Sequence, residues 1–280
     1  MKSMTIKIRP GFLKLLFVSL IFIYSCDREA GVDDLEIQQE VLEQTKSTSS
    51  VSSGKGNETI VLKGGIESPN NAGNCYPKRT QPEVIMSGIN ETSYKMKFQI
   101  KFDRYFDFDR GGKLGYGMFT GDGPGGCRGD DAKNNKGGSF RVMWRGLGEG
   151  PNPNKCVVDN DKLITGEFFP YIYHKNMTDR CGEDFGKKYS IVRNKWYTIV
   201  MEFKSNTGSN ANGVAKLSIG PSGSNNFTVV LDKRNMVWST NPSKNFVNVI
   251  KHNFFRGGAG ASWASHVDGR IYIRNVQLGI

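Results

Sequence analysis

Three scarcities narrow the reading of this 280-residue chain. Its most apolar stretch, Leu15 to Tyr24, is interrupted only by Ser19; at about ten residues it is too short for a bilayer core, which needs roughly 20. A membrane-spanning helix at that position is excluded. Histidine is scarce, with three scattered residues and no C-x-x-C among the cysteines, so a structural zinc site has no ligand set to build on. Sustained 3.6-residue periodicity is missing too, which argues against a helical fold. A glycoside hydrolase normally needs two carboxylates across a cleft. Glu149 and Glu167 offer no convincing strand pair for that role.

What the chain does have begins at its N-terminus. Lys2, Lys7, Arg9 and Lys14 precede the apolar run, and Ser25-Cys26-Asp27 closes it, the pattern of an export signal. Leu20-Ile-Phe-Ile-Tyr-Ser-Cys26 resembles a bacterial lipobox, with the bulky Tyr24 departing from its tightest form. The expectation is a lipoprotein signal peptide over residues 1–25 and a diacylated Cys26 as the new N-terminus. Several acyl chains would then hold the protein on a bacterial cell-envelope membrane, outer membrane or cell surface, where one chain alone would not. Residues 26–58 are acidic and then rich in Ser, Thr and Gly, and read as a flexible tether. Export permits disulfides, and Cys75, Cys127, Cys156 and Cys181 could form two bridges in any of three pairings.

The formal net charge of +11 is unevenly spread. The signal contributes +4 and residues 27–58 carry eight acids against three bases, which leaves residues 59–280 at +12. A surface that basic attracts polyanions. An exported domain meets acidic glycans or anionic lipids in preference to nucleic acid, so an acidic polysaccharide is the expected partner and nucleic acid is not. Solubility alone is the alternative reading of the charge.

From Thr59 onward the pattern turns to period-two alternation broken by Gly, Asn, Asp and Pro clusters, the mark of antiparallel sheets. Met96, Phe98, Ile100 and Phe102 point one way, and Lys95, Lys97, Gln99 and Lys101 the other. One face is core and the other is basic. Comparable strands are predicted at 59–62, 113–119, 139–145, 168–174, 196–203, 215–219, 228–231, 249–255 and 270–278. Their number and spacing predict an all-β fold, a jelly-roll sandwich of two antiparallel sheets, as one domain over residues 59–280. Two long Gly-rich loops, 120–138 and 146–161, hold Cys127 and Cys156, and loops of this length are commonly functional.

Strand parity draws several polar residues together. Ser139, Arg141, Met143 and Arg145 share one face of a strand, opposite Phe140, Val142 and Trp144, and Tyr171 and Tyr173 project together. With Lys113 they form a set suited to β-elimination at a uronate. Removal of the C5 proton builds an enolate-like dianion that needs a cation and a polar donor. A base must take the proton and an acid must protonate the departing O4, and tyrosine near Lys or Arg can serve. Each residue also has a bland reading: amphipathic strand tyrosines, and a surface ion-pair partner for Arg141.

Gly111-Gly-Lys113-Leu, Ser139-x-Arg141-x-Met-Trp-Arg145, Tyr171-x-Tyr173, Asn194-Lys-Trp196-Tyr, Phe254-Phe-Arg256-Gly-Gly with Trp263, and Ile271-Tyr-Ile-Arg-Asn275 occur in an order that resembles polysaccharide lyase family 14. The resemblance covers about Tyr94 to Ile280. It implies a β-jelly-roll lyase acting on alginate or glucuronan, with Lys113, Ser139, Arg141, Tyr171 and Tyr173 at the catalytic positions. Arg141 and Lys113 would bind the uronate carboxylate, Ser139 would help orient it, and one or both tyrosines would act as base and acid. Lys113-Leu-Gly-Tyr-Gly117 departs from the family's Lys-Leu-Pro-Gly-Leu, which puts the substrate more in question than the chemistry.

Lys97, Arg145, His252 and Arg256 are further candidates for substrate contact, His252 having a structural role as its alternative. No cofactor or metal is expected. Asp122, Asp130 and Asp131 lie in a Gly-rich loop that could take calcium, though not at EF-hand spacing. The expected working unit is a monomer. The rival reading is a non-catalytic, glycan-binding surface lipoprotein with the same fold and basic groove.

Overall fold

The computed structural model describes residues 57–64, 77, 83–147, 163–257 and 263–280. The signal segment, Cys26, nearly all of the tether, Cys75 and Cys156 lie outside them, as does most of the 146–161 loop.

The most regular alternating segment becomes strand β3 (Ser93–Phe102), in which every second residue is buried. It lies at the middle of a six-stranded antiparallel sheet. β1 (Glu58–Leu62) and β13 (Gly269–Leu278) lie on one side of it, and β8 (Trp196–Lys204), β9 (Gly213–Pro221) and β10 (Thr228–Met236) on the other. The second sheet runs in the order β2 (Val84–Glu91), β11 (Val247–His252), β4 (Gly112–Thr120), β5 (Ser139–Gly146), β6 (Thr165–Tyr173) and β7 (Tyr189–Val192), with the two-residue β12 (Phe255–Arg256) paired to β4. Among the described residues, helix is confined to α1 (Gly129–Lys133), a 3₁₀ turn at Pro242–Lys244 and a 3₁₀ position at Trp263. This is the expected sandwich of two antiparallel sheets.

The inner faces of both sheets meet in one apolar cluster. Phe102 from the first sheet contacts Phe106, Phe108, Trp144 and Phe168, with ring centroids 4.6 to 5.8 Å apart. Truncating an aromatic in such a position typically costs about 3–5 kcal/mol, so this cluster fixes the sheets that carry the site.

Strands β2 and β7 are absent from the alternation reading, for one physical reason. Both are edge strands of the second sheet and bury little: β2 sets only Met86 and Ile89 partly against the core, and the four-residue β7 buries Ile191 with Tyr189 beside it, too short a run for alternation to show. β2 is exposed or half-buried throughout and bends at Gly88, whose φ is +83°. A second departure lies in β4, where Leu114 pairs with Val142 but Met118 pairs with Phe140. Four residues of β4 therefore span two of β5. Gly115 absorbs the bulge at φ +29°, where a Cβ would stand 2.3 Å from the Phe254 ring. The bulge preserves parity: Leu114, Tyr116 and Met118 stay in the core, leaving Lys113, Gly117 and Phe119 to the outer face.

Candidate active site

The outer face of the second sheet collects the polar set. Register places Lys113 opposite Met143, which is opposite Phe169. Arg141 faces Tyr171, Ser139 faces Tyr173, and Arg145 faces Glu167. Directly opposed residues share a sheet face, so three strands bring Lys113, Ser139, Arg141, Arg145, Tyr171 and Tyr173 to one surface. Gly117 makes room, since a Cβ there would lie 2.5 Å from the Arg141 Cγ.

Lys113 and Arg141 are both nearly buried, each 8% exposed. The Lys113 Nζ donates to the Met143 sulfur at 2.9 Å and stands 4.1 Å from the centre of the Tyr171 ring. No carboxylate pairs with it among the described residues. Burial, reinforced by the charges of Arg141 and Arg145, pushes its amine down from 10.5 to about 6. Arg141 lies between the rings of Phe119 and Tyr171, at 5.4 and 5.7 Å. Its Nε and Nη2 are buried without a hydrogen-bond partner, an expensive arrangement unless a ligand fills them. Arg145 lies over Phe169 at 4.8 Å. It shares with Phe169, Tyr171 and Glu183 the lining of a cavity of about 390 Å³.

The two tyrosines are not equivalent. Their hydroxyls lie 3.3 Å apart, but Tyr171 is half-buried while Tyr173 is fully buried beneath the 121–138 loop, beside Ala132 and Met177. The Tyr173 hydroxyl accepts the Cys127 N–H at 2.8 Å, and burial and the neighbouring Tyr171 hold its proton well above the ordinary phenol range. Ser139, also fully buried, donates to the Pro124 carbonyl at 2.8 Å. The same loop passes over Arg141 at Gly125, where a Cβ would meet the Arg141 Nη2 at 3.1 Å. A disulfide between Cys127 and Cys181 joins the loop to the turn after β6, and Arg180 donates to the Cys127 carbonyl at 3.1 Å. Gly182 lets that turn press on the Tyr171 ring, its hypothetical Cβ lying 2.9 Å away.

Several sequence expectations need correction. Lys97 lies on β3, in the other sheet and facing outward, because alternation assigns a face without saying which sheet carries it. His252, Phe254 and Arg256 do share a side, but it is the inner one. His252 packs against Tyr116 and Phe254 and bonds Glu58 at 3.2 Å. Arg256 is buried over Phe106 and donates to the Asp107 carbonyl at 2.9 Å. Ser139 and Tyr173 reach the site's face but spend their hydroxyls on the covering loop. The acidic loop residues are engaged by cations, Asp122 by Lys244, Asp130 by Lys133 at 3.0 Å and Asp131 by Lys136 at 2.8 Å. The groove instead gains Lys251, whose Nζ stands 5.0 Å from the Phe119 ring and 3.2 Å from Glu83. Parity could have found it, since the neighbouring Ile250 belongs to the core.

A family model described as polysaccharide lyase 14 matches residues 64–276. The chain belongs to polysaccharide lyase family 14. Among solved structures, an alginate lyase is 31% identical with a TM-score of 0.62, over 81% of this chain and 82% of that one. More distant alginate lyases share the fold. One from Aplysia kurodai is 22% identical with a TM-score of 0.51, over 79% of this chain and 81% of that one. One from a Chlorella virus is 20% identical with a TM-score of 0.52, over 84% and 88%. Comparison with curated protein sequences returned no match. The domain is a polysaccharide lyase for uronate polymers, as the order of its motifs implied, and a jelly-roll of the family's kind.

Proposed function

We propose that this lyase cleaves alginate or a closely related polyuronate, with Lys113 as the base, Arg141 as the carboxylate holder and Tyr171 as the acid. The observation that carries the reading is the pairing of an amine lowered to about 6 with a buried guanidinium that has two unfilled N–H groups. An arginine keeps its charge at any working pH. Arg141 can therefore bind the C6 carboxylate and neutralise the charge that grows on it as the C5 proton leaves. Lys113, mostly neutral at pH 7, can take that proton. The C5–H pair becomes the C4–C5 double bond, the C4–O4 bond breaks, and the departing O4 takes the Tyr171 proton. The net reaction moves one proton from C5 to O4, and the Lys113 ammonium then returns a proton to the Tyr171 phenolate, directly or through water, to restore both groups. Lys113 thus serves as base in place of a tyrosine, and Tyr173 becomes a positioning residue that holds the Tyr171 hydroxyl.

Alginate is favoured because the alginate lyase 31% identical to this chain has been solved, in substituted forms, with an alginate tetrasaccharide and an alginate trisaccharide. The test is ultraviolet absorbance of unsaturated uronate product on alginate, polymannuronate, polyguluronate and glucuronan. Product from one of the first three substrates supports the reading, and product from glucuronan alone contradicts the substrate. Binding without product from any of the four favours the non-catalytic rival.

The address is part of the proposal. The lipobox-like Leu20–Cys26 segment supports export and acylation, and Cys26→Ala should release a soluble protein or stall processing. Membrane retention of that variant, with no lipid on the wild-type N-terminus by mass spectrometry, would rule this out.

A further inference from the structure

The basic face of β3 is left unused by the cleft, and its neighbours give it a definite organisation. On the outer surface of the six-stranded sheet, register lines up Tyr272, Lys101 and Trp196 in one row across three strands. Arg274, Gln99 and Thr198 form the next row, and Gln277, Lys97 and Val200 the third. The Lys101 ammonium sits between two rings, 5.3 Å from Trp196 and 4.8 Å from Tyr272. Arg274 stacks on Trp196 at 4.0 Å and is steadied by Gln99, which accepts from its Nε at 2.7 Å. Charge compensation is uneven along the face. Lys95 and Lys216 both lean on Glu202, at 3.7 and 3.5 Å. Lys97, Lys101 and Arg274 have no acidic partner among the described residues. Positive charge without an ion-pair partner thus runs from Lys101 and Arg274 at the rings to Lys97, and the carboxylate of Asp103 at the ring end accepts from the Tyr272 hydroxyl at 3.0 Å.

We propose that this Trp196-centred surface is a second, non-catalytic binding site for the acidic polysaccharide, engaging stretches of polymer outside the cleft. Lys101 and Arg274 are held by one indole, so their donors are oriented before a ligand arrives and little side-chain freedom remains to be lost. A carboxylate bridging them would replace water, while the uncovered edges of Trp196 and Tyr272 offer apolar contact to a pyranose ring. Lys97, four residues along β3, would reach a second carboxylate roughly 13 Å away. Because a polymer held at two sites stays near the cleft after each cleavage, the surface would raise effective substrate concentration without touching the chemistry.

The inference takes its ligand from the polyuronate reading above, and the test separates the two. Affinity electrophoresis of the Lys113→Met protein through gels containing long alginate measures binding without turnover. Adding Lys101→Gln and Arg274→Gln should weaken retardation roughly three- to tenfold, the scale of a few exposed charge contacts. In the otherwise wild-type chain the same pair should leave turnover of an alginate tetrasaccharide unchanged. Lys97→Gln alone should give a smaller loss, and it keeps the test open if the double variant fails to fold. Unchanged retardation in both variants overturns the proposal, as does equal retardation of the parent by polyphosphate. Parallel loss of tetrasaccharide turnover also overturns it, since only one site would then exist. Absence of product from every polyuronate with wild-type protein instead sinks the functional reading.

Discussion

Lys101 and Lys113 are both outward-facing lysines on alternating strands, each beside aromatic rings, and they occupy different physics. Lys101 is half-buried on an open sheet, 5.3 and 4.8 Å from its two rings. Lys113 is nearly buried beside two arginines, and its amine is pushed down to about 6. The strands do not make this difference; the cover does. Over the second sheet, the loop from Gly121 to Gly138 closes on Arg141 at Gly125, and the turn pinned by Cys127–Cys181 presses at Gly182 on the Tyr171 ring, which in turn lies against the Lys113 amine. Alternation decides which way a side chain points, and desolvation decides what it can do.

The comparison breaks most sharply by substitution at the two lysines. Lys113→Met should lower the rate of unsaturated product formation by about 100- to 10,000-fold, the usual worth of a proton-transfer group. Lys101→Gln should leave the tetrasaccharide rate within about twofold, as expected of a surface change away from the chemistry. Equal losses at both would mean that the cover is irrelevant.

Removing the cover's fastening is the next largest change. The disulfide closes a loop of sequence separation 54, and such bridges contribute about 2–4 kcal/mol. Cys127→Ser with Cys181→Ser should lower the melting temperature. It should also cut activity by loosening the Cys127 N–H to Tyr173 hydroxyl bond, whereas alginate retention by the Trp196 surface should persist. Activity surviving with an unchanged melting temperature would remove the loop from the account.

Stability shows the same contrast with a sign. Lys113 has a pKa of about 6 when folded against 10.5 as its ordinary value. Between those pH values the unfolded chain binds more protons, so wild-type stability should rise with pH across that interval. Lys113→Met abolishes the dependence. It should be more stable than wild type at pH 6–7, with the advantage shrinking as pH approaches 10, as followed by denaturant midpoints. Lys101→Gln should show no such trend. Among the changes aimed at the site, the smallest expected effect is that of Gly117→Ala, whose Cβ would press on Arg141. Overpacking of this kind typically costs about 1–3 kcal/mol, and it should raise KM for polymer more than it lowers stability.

Much of this was legible in the residues. Parity along 139–145 and 171–173, with the family order of motifs, brought Lys113, Arg141, Arg145 and Tyr171 to one face, where register places them. Three things were not legible. Parity gives a face relative to the strand's own core residues, so Lys97 could be put on a basic face but not on a sheet. His252 and Arg256 share their side with Phe254, and only packing tells that this side is the interior. Nor does alternation foresee what lies above a strand, so Ser139 and Tyr173 read as free hydroxyls although Pro124 and Cys127 already hold them. The edge strands β2 and β7 escaped because β2 buries no residue fully and β7, only four residues long, buries one, Ile191.

The account rests on Lys113 being a neutral base, and the pH dependence of kcat/KM tests that most directly. A base must be unprotonated in the free enzyme, so kcat/KM for an alginate tetrasaccharide should climb through an inflection near 6 and level off by about pH 7.5, set by the lowered amine. A rising limb that first appears near 10, or one that survives unchanged in the residual activity of Lys113→Met, would contradict it.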